Sequence, residues 1–370
     1  MAGPLAGLKI VEFAGIGPGP FAAMMLADHG AQVLRVERPG GVASPGVPPA
    51  RERDALLRGR PAVTLDLKSQ TDRDLALRLL ARADAMIEGL RPGAMERLGL
   101  GPAECLAANP KLVYGRMTGW GQDGPLAKTA GHDLTYIALT GALHAMGEPD
   151  RPPPPPLNLL GDFGGGGMML AFGILAAVLA ARGGAPGQVV DAAITDGAAS
   201  LATMICAFRE MGAWSDARGA NMLDGGAPYY RCYACADGRW IAVGALEPQF
   251  YAILAERTGV VEFDDAARRD PANWPALAGR FAEVFAGAPR DHWAALFERT
   301  DGCVAPVLSF AEAPAHPHNA ARGTYVAPGG RPQPAPAPRF SATPSAAPEA
   351  PAALDGDRAA VLAAWGVSEG

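Results

Sequence analysis

The sequence predicts an α/β protein: an open, doubly wound parallel sheet in a large domain, followed by a smaller α/β domain. Three observations lead there. Short apolar runs alternate with helical patterns through the first third of the chain, which is the signature of βαβ units. The chain has 370 residues, enough for two separate cores. Its later part changes character, replacing strand–helix alternation with a hairpin and a run of helices.

Taken in order, residues 8–13 (LKIVEF) read as a strand and 20–29 as a helix entered through a Gly/Pro turn. Residues 32–37 read as the next strand, 62–67 as a third and 71–83 as an amphipathic helix. Further strands are expected at 85–88 and 112–117, separated by helical turns. The five prolines 152–156 demand extended polyproline II geometry. A helix is expected over 163–182, apolar enough to be packed on all sides, then a strand at 187–193 and a long helical stretch to Met211. Residues 229–244 read as a hairpin turning at Asp237-Gly238, with helices starting at Pro248, Trp274 and Asp291. Beyond Val326 the chain is rich in proline and alanine and reads as a wrapping connection back to the first domain.

Composition excludes several function classes. Hydrophobic residues make up 49% and charged residues 19%, ordinary values for a globular chain. A net charge of −6 argues against a nucleic-acid binder, which needs a basic face. Five cysteines, odd in number and scattered, do not form a disulfide framework, so a reducing, cytoplasmic location is expected. The N-terminal residues show no secretory signal pattern. The most apolar run, 168–181, is 14 residues, shorter than the ~20 a bilayer requires, so no membrane span is expected.

Several constellations bear on chemistry. Gly15-Ile16-Gly17-Pro18-Gly19-Pro20, with Glu37 twenty residues beyond Gly17, invites a dinucleotide-binding reading. That reading fails because Pro20 replaces the third glycine, and Pro18 and Pro20 lack N–H groups for a pyrophosphate; a tight turn with proline opening the helix is the better account. Asp162 sits in Gly161-Asp162-Phe163 before four consecutive glycines, Gly164 to Gly167. A helix N-cap would explain the aspartate alone. The glycines exceed that need and would let a ligand approach the backbone, so a functional Asp162 is favoured. His132 by itself reads as a structural histidine at a helix start, and Glu247 before Pro248 as a helix cap. Cys232 and Cys235, three apart on a strand, point to opposite faces and have no second ligand pair, which argues against a metal site. Arg38, Lys68 and Arg91 follow strand ends, where open sheets bind ligands, and have the charge to hold phosphates; a solvated surface is the alternative.

Together these segments resemble the family III CoA-transferase superfamily and, within it, the bacterial α-methylacyl-CoA racemases. The resemblance rests on GLKIVEFAGIGPGPFAAMMLADHGAQVLRVERP, VTLDLKS, EGLRPGAMERLGLGP, RMTGWGQDGP, AGHDLTYIALTG, PLNLLGDFGGGG, GQVVDAAITDG, GANMLDGGAPYY and GALEPQFY. It runs from residue 5 to about 310 and weakens in the proline-rich C-terminal part. It implies a large Rossmann-like CoA-binding domain over 1–190 with 325–370 returning to it, a helical linker over 191–221, a small domain over 222–312 and a return linker over 313–324. It also implies an interlocked homodimer whose active site lies between the large domain of one subunit and the small domain of the other. An acyl-CoA would be the substrate, coenzyme A being part of it, with no metal, nicotinamide or other cofactor. Arg38, Leu65, Lys68, Arg91 and Asp133, with Tyr136 nearby, are the positions implied to contact the coenzyme.

Within the superfamily Asp162 matches the shared catalytic aspartate. In transferases it is the nucleophile that takes the acyl group; in racemases it works with matches to His132 and Glu247. Transferases more often carry a non-basic residue where His132 stands, so the racemase reading leads. It expects inversion of the centre α to the thioester, with neutral His132 and Asp162 exchanging protons on opposite faces. Glu247 would fix the imidazole tautomer, and backbone N–H groups near Asp162 would meet the enolate oxygen. A CoA-transferase using Asp162 alone is the alternative; a non-catalytic acyl-CoA-binding protein is the third, against which the three intact residues speak.

Overall fold

In a computed structural model describing residues 3–41 and 50–369, the early alternation resolves into one six-stranded sheet. Its strands are β1 (Lys9–Phe13), β2 (Gln32–Glu37), β3 (Ala62–Thr64), β4 (Ala85–Glu88), β5 (Val113–Thr118) and β6 (Gln188–Ala193). They lie in the order β3-β2-β1-β4-β5-β6, every pair parallel. The order reverses between β1 and β4, and the crevice beyond the carboxyl ends of those strands is where such sheets bind ligands.

Helices cover both faces, which is why the inner strands read as nearly continuous apolar runs. On one face α1 (Pro18–Asp28) contributes Ala22, Ala23 and Leu26 to a core shared with Ile10, Val33 and Ile87. The other face carries α2 (Gln70–Leu80), α3 (Ala94–Arg97) and α4 (Pro102–Ala108), which add Leu75, Leu79, Met95 and Cys105 to a core with Val11, Leu34 and Met86. A short helix, α5 (Asp133–Ile137), follows β5.

The helix expected over 163–182 departs from expectation twice. It starts earlier, with a π-helical segment (Leu159–Met168) that continues as α6 (Met169–Arg182). It is also not packed on all sides. Leu170, Ile174 and Val178 are buried on the sheet, whereas Phe172 is 72% and Leu179 74% exposed. The combined 24 residues are long and apolar enough to cross a bilayer by length and composition, yet one face packs against β5 and β6. The stretch expected to run on to Met211 breaks at Ala202 into α7 (Ile194–Leu201) and α8 (Thr203–Glu210). β3 stops at Thr64 because Asp66 turns the chain, its side chain accepting from the Lys68 N–H at 3.0 Å.

The chain divides into two compact units. The sheet belongs to the first, comprising Met1–Thr140, Pro156–Ala202 and Pro317–Gly370. Its C-terminal part is pinned to the sheet edge: Asp355 accepts from the N–H and hydroxyl of Thr64 at 2.7 and 2.6 Å, and Arg58 donates to Gln333 at 2.7 Å. The second unit comprises Gly141–Pro155 and Thr203–His316. It carries an antiparallel sheet of β7 (Tyr230–Ala234), β8 (Trp240–Gly244) and β9 (Val304–Pro306). The hairpin turns at Asp237-Gly238 as expected, with Gly238 at φ 73°. Behind it α9 (Pro248–Thr258), α10 (Asp265–Arg269), α11 (Trp274–Ala286) and α12 (Arg290–Phe297) bury Leu254, Phe281, Phe285 and Trp293 against Tyr233 and Ile241.

Candidate active site

The first unit gathers its chemistry where β1 and β4 end. After β1 the chain runs through Gly15 and Gly17 into α1; Gly17 adopts φ 70°, ψ −118°, and Pro18 opens the helix. A Cβ placed on Gly17 would lie 3.1 Å from Oδ2 of Asp162, so this glycine is where the turn passes the carboxyl closely. Sequence reasoning treated the turn as structural only. The positive φ that a Gly-x-Gly-Pro entry imposes was the available signal.

Asp162 is not a helix cap. It lies inside the π-helical segment, where Phe163 N–H donates to the Asn158 carbonyl at 3.1 Å, and such widened turns recur at functional sites. The four glycines serve packing rather than ligand access. A side chain on Gly165, Gly166 or Gly167 would press on α7 or α1, and one on Gly197 would overlap the Gly165 carbonyl. Phe163 stacks on Phe21 of α1, ring centroids 4.3 Å apart. The backbone around Asp162 is thereby held by close contact on two sides.

The carboxyl itself is largely enclosed, and burial pushes its pKa up to about 6. The Asp133 charge pushes in the same direction, while an Asn158 side-chain hydrogen bond and the His132 charge oppose it. Asp133 directs a carboxylate oxygen at the Asp162 backbone N–H, 2.6 Å away. That N–H is one of the backbone groups near Asp162, and here it donates to Asp133.

His132 stands immediately before α5 with its side chain exposed, and its own N–H is held by Thr135 Oγ1 at 2.9 Å. Tyr136 donates its hydroxyl to the Gly131 carbonyl and packs edge-on against Trp120, 4.8 Å between centroids. It therefore braces the loop carrying His132. Burial raises the Tyr136 hydroxyl's pKa, the Asp162 charge adds to this and Arg91 opposes it, so Tyr136 lies within electrostatic reach of both.

The positions implied to contact coenzyme A divide. Arg38, Lys68 and Arg91 are exposed just beyond the carboxyl ends of β2, β3 and β4, on one edge of the sheet. Leu65 is different: its side chain is 0% exposed within the core and its N–H donates to the Glu37 carbonyl, so any ligand contact runs through its carbonyl oxygen. Asp133 has its carboxylate engaged by backbone as described. Glu247 belongs to the second unit, where it occupies the N-cap position of α9 before Pro248. Among the described residues no group of three or more His, Cys, Asp or Glu side chains gathers as a metal site, and Cys232 is exposed while Cys235 is buried.

Comparison with known proteins bears on this arrangement. The chain is 44% identical to the α-methylacyl-CoA racemase of Mus musculus, over 92% of this chain and 87% of that protein. It is 42% identical to the α-methylacyl-CoA racemase of Homo sapiens, over 87% and 82% respectively. The crystal structure of a CAIB/BAIF family protein from Brucella suis superposes with a TM-score of 0.83 at 28% identity, covering 99% of this chain and 100% of that one. The family model for CoA-transferase family III matches residues 5–358, and the chain belongs to that family.

Proposed function

We propose that this protein is a 2-methylacyl-CoA racemase, an isomerase that inverts the stereocentre α to the thioester. The observation that carries this reading is the Asp162 carboxyl, largely enclosed at the switch point beside Gly17, drawn toward neutral pH and within electrostatic reach of His132. Inversion requires a base on one face of the α-carbon and an acid on the other, each able to exchange roles. Asp162 as carboxylate removes the α-proton of one epimer while protonated His132 delivers to the opposite face; for the other epimer the roles reverse. Electrons released from the α C–H bond pass to the thioester oxygen as an enolate and return on reprotonation, so no redox cofactor is needed.

Arg38, Lys68 and Arg91 suit the phosphates of the coenzyme A portion, and the Leu65 carbonyl its polar groups. Glu247 would accept from the imidazole of His132 and favour its protonated form. Supply of Glu247 by one copy to another fits an interlocked homodimer, and burial in such an assembly would account for the exposed Phe172 and Leu179. Five free cysteines suit a reducing, cytoplasmic compartment.

The test is incubation of one 2-methylacyl-CoA epimer in deuterated water. Racemisation with α-deuterium uptake is expected. Absence of exchange, together with CoA transfer to an added carboxylate and a hydroxylamine-sensitive adduct on Asp162, would establish the family's transferase chemistry instead.

A further inference from the structure

The geometry points to Asp133 as a positioning residue for the reaction: its carboxylate holds the backbone N–H of Asp162, lies tight against Gly161, and sets a second negative charge beside the Asp162 carboxyl. This rests on the racemase reading of Asp162, and it gives Asp133 a task other than holding coenzyme A.

The clamp fixes where the catalytic carboxyl starts. Asp133 leads α5 while Asp162 lies in the π-helical segment, 29 residues apart in sequence, and the 2.6 Å bond ties the two elements together. A side chain on Gly161 would collide with the Asp133 carboxylate, so glycine there keeps the clamp open.

The charge has a separate effect. Two carboxyls sharing a site resist simultaneous ionisation, and the proton affinity of one rises. Burial of the Asp162 carboxyl acts most strongly in the same direction, and the His132 charge opposes it. Around it, α5 presents His132, Asp133 and Tyr136, the π-helical segment presents Asn158, and α1 presents Gly17, Pro18 and Phe21. α7 packs through Ile194, Gly197 and Ala198 and keeps Asp196 exposed, and β5 reaches the segment through Met117. An ordinary aspartate holds a proton in roughly one molecule per thousand at neutral pH, too few for an acid that must reprotonate an enolate. Lifted to about 6, Asp162 holds one in roughly one molecule in ten, while remaining a competent base.

Two variants and one titration test this. Asp133→Asn keeps one acceptor and removes the charge; the acid limb of the kcat/KM–pH profile for α-deuterium exchange should move down by roughly one pH unit, with KM for the acyl-CoA within about twofold of wild type. Asp133→Ala removes the clamp as well and should lower kcat by roughly 10- to 100-fold. An unmoved acid limb accompanied by a raised KM would overturn the proposal in favour of a coenzyme A contact. Carboxyl-13C titration of the wild-type protein, with Asp162→Asn providing the assignment, does not depend on either Asp133 variant folding. Titration of wild-type Asp162 in the ordinary aspartate range overturns the proposal; a value near 6 that falls in Asp133→Asn supports it, because burial also raises this carboxyl. If wild type exchanged no α-proton the racemase reading would fail, yet comparing the Asp162 titration in wild type and Asp133→Asn would still decide whether Asp133 acts on it.

Discussion

Two groups of enclosed carboxylates lie on the same face of one sheet and have opposite surroundings. Glu12 and Glu37 are 0% and 4% exposed, and guanidinium groups meet them on every side. Arg35 pairs with both, Arg60 reaches Glu12 at 2.5 Å, and Arg51 reaches Glu37 at 2.9 Å. Asp162 lies beyond the end of β1 with another carboxylate, an amide and one histidine for company. Burial with a cation stores a carboxylate as structure, whereas burial beside a like charge leaves it with an appetite for a proton. The two regions are joined, because Arg35 also donates to the Gly15 carbonyl at 3.4 Å, two residues before the glycine that abuts Asp162.

The sharpest way to break that comparison is to remove the proton carriers. Asp162→Ala and His132→Ala are each expected to lower α-deuterium exchange by roughly 10²- to 10⁴-fold while leaving the fold intact by circular dichroism. Near-full activity in His132→Ala would refute the two-base assignment. The paired cluster should answer in the other currency. Glu12→Ala strands Arg60 in the core, takes one of two carboxylate partners from Arg35, and should cost about 3–5 kcal/mol in urea unfolding; a loss below about 1 kcal/mol would mean the cluster is not structural.

Asp162→Asn sharpens the contrast through pH. Its carboxyl rises from 3.8 to about 6 on folding, so its contribution to stability is complete below the unfolded value and lost as pH rises through 6. The asparagine variant should therefore be more stable than wild type at about pH 8, by roughly 1–3 kcal/mol, with the gap closing at about pH 4. Equal stability across that range would show that Asp162 is not held at a cost. Smallest of all, Arg91→Ala should raise KM for an acyl-CoA by roughly 5- to 30-fold with kcat little changed, as expected for one charged hydrogen bond to a phosphate. A kcat loss without a KM change would place Arg91 in the chemistry instead.

Much of this was legible in the chain. Strands 85–88 and 32–37 were read to the residue, because each is a short, largely apolar run set between helical patterns. The hairpin at Asp237-Gly238 was legible because few dipeptides tolerate its turn. Asp162 stood out by the glycines around it, whereas His132 drew notice only through the family resemblance. Less legible was what each neighbour does. Gly17 looked like punctuation until its backbone was seen against the Asp162 carboxyl, and the bond from the Asp162 N–H to the Asp133 carboxylate left no mark in the sequence.

By itself the sequence determined the alternation that builds the sheet, the placement of cations after its strands and the family to which its motifs belong. These are local properties, written in periodicity and residue type. Tertiary structure alone decided that Gly165, Gly166 and Gly167 make room for neighbouring helices, that Leu65 turns into the core, and that Asp133 and Asp162 share one site across 29 residues of chain. Close packing and charge coupling act through space, between segments whose separation along the chain carries no record of their meeting.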